Sequence, residues 1–180
     1  MSAVGGVTDR LIRAAKLAGE GDRACFDQLD AIIETHLEII SKLFDSPARP
    51  EVERLIEPDI DELRVILRGV FMIRELSRKS FESLSGIGER LSSKIIATYL
   101  NAEWFDSRAF IKTNYEYGRN QVIVDETNHL LDAVKGRLGK LSLFPGFISS
   151  NNRDENTTLG RGGSDYTAAL LAAAFGADVL

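Results

Sequence analysis

Apolar residues recur at three- and four-residue steps through most of the first eighty positions. Between Asp22 and Phe44 they fall at Phe26, Leu29, Ile32, Ile33, Leu37, Ile40 and Leu43, with His36 on the same stripe, which is the pattern of an amphipathic helix. A second tract runs from Glu51 to Ser77. Pro58 lies inside it; proline offers no N–H and crowds the turn before it, so the pattern predicts a short helix, a break, and a longer helix over 60–77. The stretch from Asp45 to Pro50, "DSPARP", reads as a loop. Residues 20–80 are therefore expected to form a long antiparallel helical hairpin. Ahead of it, "MSAVGGV" reads as the tail of a strand entering a glycine turn. "DRLIRAAKLAG" then reads as a helix capped by Thr8 or Asp9 and stopped by Gly19.

After Ser77 the character changes. "SLSGIG" is a glycine-containing turn, followed by a helix over 88–101, a short strand in "EWFDS", a second strand in "QVIVD" and a helix in "ETNHLLDAVKGRLGK". "LSLFPGFIS" reads as a buried strand, and the last helix ends near Gly176. Strands alternating with helices predict an α/β fold in which a mainly parallel sheet is covered on both faces, a partial αβα sandwich with the helical hairpin added. One domain over residues 1–180 is expected. The pattern is cut at both ends: "MSAVGG" starts at the tail of an element and "ADVL" stops where a strand should begin. The segment thus reads as part of a larger, truncated domain.

Composition narrows the partners. The net charge is −5 and no Lys/Arg stripe occurs, which argues against nucleic acid. The single cysteine, Cys25, makes no internal disulfide and reads as a small buried hydrophobe. His36 and His129 stand far apart with no Cys near either, so no metal site is expected. No run of apolar residues is long enough for a membrane span and no signal pattern opens the chain, which leaves a cytoplasmic protein as the expectation.

Chemistry concentrates in glycine turns ahead of helices. "TTLGRGGSDYTAALLAA" places Gly160, Gly162 and Gly163 around Arg161, then Ser164 and Asp165 at the opening of a helix. Helix N-termini attract anions through unpaired N–H groups and the helix dipole, and glycine lets backbone approach a ligand closely. Arg161 can contact a carboxylate or phosphate with two prongs, Ser164 can cap or donate, and Asp165 adds an acceptor. A plain capped turn with a solvated arginine accounts for the same spacing. "SAVGGVTD" sets Ser2, Gly5, Gly6 and Thr8 at a similar turn, and "GIGERLS" sets Glu89 in a first helical turn. Glu89 there suits the helix dipole alone. If the turns converge at one sheet edge, a cation and an anion would face one crevice, as an amino acid zwitterion requires. Tyr166 is expected to pack in the first turn of its helix and His129 to lie on a helix face.

These residues resemble the aspartokinases of the amino-acid kinase superfamily. The likeness is carried by "FPGFISSN…TTLGRGGSDYTAALLAA", which is similar to the family's substrate-binding signature, and by "SAVGGVTD", "GERLSSKIIATYL" and "WFDSRAFIKTN" in the family's order. It is weakest between Cys25 and Ser77. The resemblance implies phosphoryl transfer from ATP, with Mg2+, to the β-carboxylate of L-aspartate, and self-association as a homodimer or larger. It implies that Arg161 pairs with a substrate carboxylate, Glu89 holds the α-ammonium, and Thr8 and Ser2 donate to the reacting end. Phe147 and Thr158 would line the pocket, Ser164 would touch substrate and Asp165 would orient a phosphate-binding lysine. The family's Lys-Phe-Gly-Gly strand and its nucleotide-binding continuation are not in this sequence, so it reads as the aspartate half of the domain, inactive alone. The alternative is a non-catalytic amino-acid-binding or scaffold module. A different amino-acid or nucleotide kinase fits less well with Glu89, Arg161 and the Ser164–Asp165 pair together.

Overall fold

A computed structural model describes all of residues 1–180. The first helix, α1 (Val7–Glu20), starts after Gly6, whose φ of 79° lets the chain turn into the helix without a side-chain cap. Thr8 therefore lies inside the first turn and caps nothing. The helix also runs past Gly19 to Gly21, which has φ 73° and closes it. Gly19 serves a different purpose: a Cβ there would stand 3.1 Å from the Cβ of Leu76, so glycine permits a close crossing. Residues 1–4, expected to end a strand, are not part of one.

α2 (Ala24–Leu43) and α3 (Arg49–Ile73) form the expected hairpin around a short loop. Asp22 opens α2 by accepting the Ala24 N–H at 2.9 Å. Arg49 closes it, since its guanidinium donates to the carbonyls of Phe44 and Ser41 at 2.9 and 2.7 Å. Pro58 does not break α3, contrary to the sequence expectation. It lies on the exposed side, while Val52 and Ile56 before it and Asp59, Ile60 and Leu63 after it are buried. Burial of one face on both sides of the proline outweighs the loss of one backbone bond. Two short helices follow. α4 (Arg78–Ser85), not foreseen from the sequence, is capped by Ser77, whose Oγ accepts the Ser80 N–H at 3.1 Å. α5 is Ile87–Tyr99. Leu11, Ile32, Ile56, Leu63, Leu91 and Ile95 of α1, α2, α3 and α5 join in one apolar core.

The strands are short. β1 (Glu103–Trp104) pairs in parallel with β4 (Ser142–Leu143), and Lys112 bridges in parallel to Ser150. β2 (Thr113–Glu116) and β3 (Arg119–Val122) make an antiparallel hairpin, as do β5 (Ile148–Ser150) and β6 (Asn156–Thr158). "QVIVD" thus supplies a hairpin arm, and "LSLFPGFIS" splits into β4 and β5 at Pro145–Gly146, where a single strand was expected. α6 (Val124–Lys135) and α7 (Gly163–Phe175) complete the chain. The helices on this side gather on a second apolar nucleus, where the Phe105 and Phe144 rings stack at 5.0 Å. Cys25 is fully buried and His129 lies exposed on α6, as expected. Tyr166 is 45% exposed, so it does not pack as the sequence suggested. No helix is long and apolar enough to cross a membrane.

Candidate functional site

Residues 1–4 run between the start of α5 and the turn at residues 144–147, and they draw three helix N-termini together. The Met1 carbonyl accepts the Gly146 N–H at 2.7 Å, and the Met1 ammonium donates to the Phe144 carbonyl at 2.9 Å. The Ser2 carbonyl accepts the Ser92 hydroxyl at 2.8 Å. Gly88 permits this approach, since a Cβ there would meet Ala3 and Val7 at 3.0 Å. The Gly5–Gly6 turn and Thr8 at the head of α1 therefore abut the head of α5, where Glu89 sits in the first turn.

The third N-terminus is that of α7. Gly160 and Gly162 adopt φ of 74° and 77°, conformations that side chains disfavour, and they hold Arg161 at the tip of the turn. Gly162 is the cap residue, and Gly163 opens the helix. Ser164 follows inside the first turn and does not cap. A Cβ on Gly163 would lie 2.9 Å from the Phe147 ring, and one on Gly146 would lie 2.9 Å from Ser164. Phe147 itself has φ 67°, and it is tied on both sides: its N–H donates to Thr167 Oγ1 at 3.0 Å and its carbonyl accepts from Leu159 at 2.8 Å. The 144–147 turn and the Arg161 loop are thereby locked to one another.

The charges near these helix N-termini are unequal in setting. Glu89 is 3% exposed, and Oε2 has no hydrogen-bond partner. Burial pushes its carboxyl up to about 7, against the backbone N–H groups of Glu89 and Ala3 and the Met1 ammonium, which favour the anion. Arg161 and Asp165 are both exposed, and neither takes part in an ion pair. Thr158 is mostly buried, and its carbonyl accepts from Asn120 at 2.9 Å. No group of three or more His, Cys, Asp or Glu side chains is arranged to hold a metal ion.

Sequence reading missed what stands behind Glu89. Asp59 is fully buried in α3 and meets both Arg90 and, at 2.7 Å, Lys94 of α5. Arg90 also reaches Glu62 at 2.7 Å. The helix carrying Glu89 is thus clamped to α3 by charge. The signal was present: Asp59 occupies a core position in the Ile56, Ile60, Leu63 spacing. Also missed was a buried hydroxyl chain behind β6, in which Thr157 Oγ1 contacts Thr113 at 2.7 Å and Ser149 at 2.8 Å. Single hydroxyl residues in unlike segments give no sequence signal of meeting.

Residues 1–180 match the model of the amino acid kinase family along their whole length. The chain belongs to the amino acid kinase family. Lysine-sensitive aspartokinase 3 of Escherichia coli (strain K12) is 34% identical over 97% of this chain and 39% of its own length. The structure of E. coli aspartokinase III in complex with lysine and aspartate, in the T-state, superposes with a TM-score of 0.86 at 32% identity, over 98% of this chain and 40% of that one. The R-state structure with aspartate and ADP gives the same TM-score and identity. This amino acid kinase chain spans about two fifths of the length of these aspartokinases. The α/β fold with parallel pairing and the aspartokinase resemblance both stand.

Proposed function

We propose that the chain forms the aspartate-binding half of an aspartokinase, which transfers the terminal phosphoryl group of ATP to the β-carboxylate of L-aspartate. The observation that carries this reading is Glu89, a carboxylate buried to 3% exposure with one oxygen unpaired at the meeting of three helix N-termini. A buried carboxylate with a free oxygen suits an ammonium group, which would restore the lost pairing and hold the anion charged. Arg161, exposed and unpaired, suits the α-carboxylate. Phe147 and Thr158 would flank the side chain of the substrate, Ser164 would touch it, and Ser2 and Thr8 would donate to its reacting end.

The β-carboxylate is a nucleophile at neutral pH, so the site requires no general base. Catalysis would rest on positioning and on N–H groups facing the charge that develops on the transferring phosphoryl. The glycine turns Gly5–Gly6 and Gly160–Gly163 are suited to that task, and Asp165 to orienting a cation beside it. Magnesium would arrive with the nucleotide phosphates. The E. coli relative solved with aspartate and ADP supports the choice of substrates.

Isothermal titration of L-aspartate into the purified chain tests the reading. Binding is expected, weakened about ten- to a hundredfold in Glu89→Gln, because a charge-assisted hydrogen bond is worth roughly 1.5–3 kcal/mol. Heat uptake indistinguishable between the two proteins would overturn it. Aspartyl phosphate, trapped as the hydroxamate, is expected only when the remainder of the kinase is supplied.

A further inference from the structure

Glu62 of α3 is bonded to both sides of the candidate site. Its Oε2 accepts from Nη1 of Arg90 at 2.7 Å, and Arg90 is the residue after Glu89 in α5. Its Oε1 accepts from Nδ2 of Asn156 at 3.3 Å, and Asn156 opens β6, the strand that runs through Thr158 toward the Arg161 loop. The Asn156 amide is oriented from its other end, where Oδ1 accepts from Nη1 of Arg108 at 2.8 Å. Asp106 in turn fixes Arg108, accepting from Nε at 3.0 Å and from Nη2 at 2.6 Å. Each group takes the role open to it: the guanidinium groups donate, the Glu62 carboxylate accepts, and the amide does both.

We propose, resting on the aspartate reading, that Glu62 is a positioning residue: it sets the spacing between Glu89 on α5 and the Arg161 loop beyond β6. An amino acid carries its ammonium and its α-carboxylate on one carbon, so a site that grips both must keep its own two charged groups at a fixed separation. Charge balance alone does not account for Glu62. Asp59 and Glu62 together match Arg90 and Lys94, and that match needs only Oε2. The side chain is 32% exposed, so Oε1 could turn to water; it is instead committed to Asn156, whose amide Arg108 has already oriented. Asn120 fixes β6 from another direction, since its Nδ2 joins the Thr158 carbonyl to Glu82 of α4 at 2.9 and 2.8 Å. Glu62 adds the tie from β6, through Arg90, to the helix that carries Glu89.

An exchange of roles tests it. Glu62→Gln leaves an NH2 facing the Asn156 NH2, and turning the Asn156 amide over would set that NH2 against Arg108, so one bond is lost either way. Asn156→Asp sets two carboxylates against each other. The double variant restores every bond: the glutamine oxygen accepts from Arg90, its NH2 donates to the new carboxylate, and that carboxylate still accepts from Arg108. Chemical-shift titration of L-aspartate into the full chain should show each single variant binding about tenfold more weakly than the native chain, and the double variant within about twofold of it. In an Arg161→Ala background, Glu62→Gln should cost less than about twofold more, because with one end of the ligand released there is no spacing left to keep. A residue that served only the fold would cost the same in both backgrounds. Single variants that bind as the native chain does, an exchange variant as weak as the singles, or an undiminished loss in the Arg161→Ala background would each overturn the proposal and leave the aspartate reading in place. A native chain that does not bind L-aspartate would overturn both.

Discussion

Replacing Glu89 by glutamine should make the protein more stable and less able to bind its ligand, and the stability gain should depend on pH. The carboxyl titrates at about 7 in the folded chain, against an ordinary value of 4.5, because burial disfavours the anion. A folded value above the unfolded one means that the folded state holds the proton more tightly. The stabilisation is present in full below 4.5, declines as pH rises, and is gone above about 7. That interval corresponds to about 3 kcal/mol. The glutamine amide keeps the acceptor for the Ala3 N–H but leaves an unpaired NH2, offsetting about 1 kcal/mol. At pH 8 the variant should therefore be more stable by about 2 kcal/mol, or about 4–8 °C in Tm for a chain of this size. Near pH 4.5 the two should melt together or the variant slightly lower. Differential scanning calorimetry across that range reads the difference directly. A Tm difference that does not change with pH would refute the reasoning, because it would mean that the buried carboxyl does not titrate between the two limits. The same titration governs binding: an ammonium needs the anion, so aspartate affinity should rise with pH up to about 7 and then level off.

Arg161→Lys keeps the charge and loses the two-pronged contact, so the Kd for L-aspartate should rise about tenfold while Tm stays within about 1 °C, as the side chain is exposed and unpaired. A Tm shift with unaltered binding would assign Arg161 to the fold. Asp59→Ala leaves Arg90 and Lys94 without their shared buried partner and should cost about 3–5 kcal/mol in urea unfolding; a loss below 1 kcal/mol would mean that the clamp carries no weight. Gly163→Ala drives a Cβ to within 2.9 Å of the Phe147 ring and 3.2 Å of its Cα, so melting should show a loss of about 1–3 kcal/mol despite alanine's better helix propensity.

The long helices were legible in the sequence because their apolar spacing is decided locally: α2 and α7 lie close to where the pattern puts them. Their interruptions were not. Pro58 and Gly19 read as stops, but tertiary burial carried α3 through the proline and close packing against Leu76 explained the glycine. The strands were hardest. β1 falls inside the strand read in "EWFDS", but β2 was not foreseen and the Pro145–Gly146 turn divided what looked like one strand into β4 and β5. Of the site, the glycine turns and Glu89 were readable as helix starts. The deep burial of Glu89 was not, since it depends on residues 1–4 crossing the head of α5. The Asp59 clamp was visible only as a charge out of place on an apolar stripe.

That crossing also sets the order in which the molecule can assemble. α1, α2 and α3 find one another within the first eighty residues, so their core needs only modest loop closure. The meeting of the helix N-termini requires Met1 to reach Phe144, a separation of 143 residues along the chain. Contacts of such span come late on the way to the native state, because their ordering entropy must be met before they return any stability. The helical bundle is therefore expected to form before the helix N-termini meet, and residues 1–4, which cover Glu89, are expected to order last.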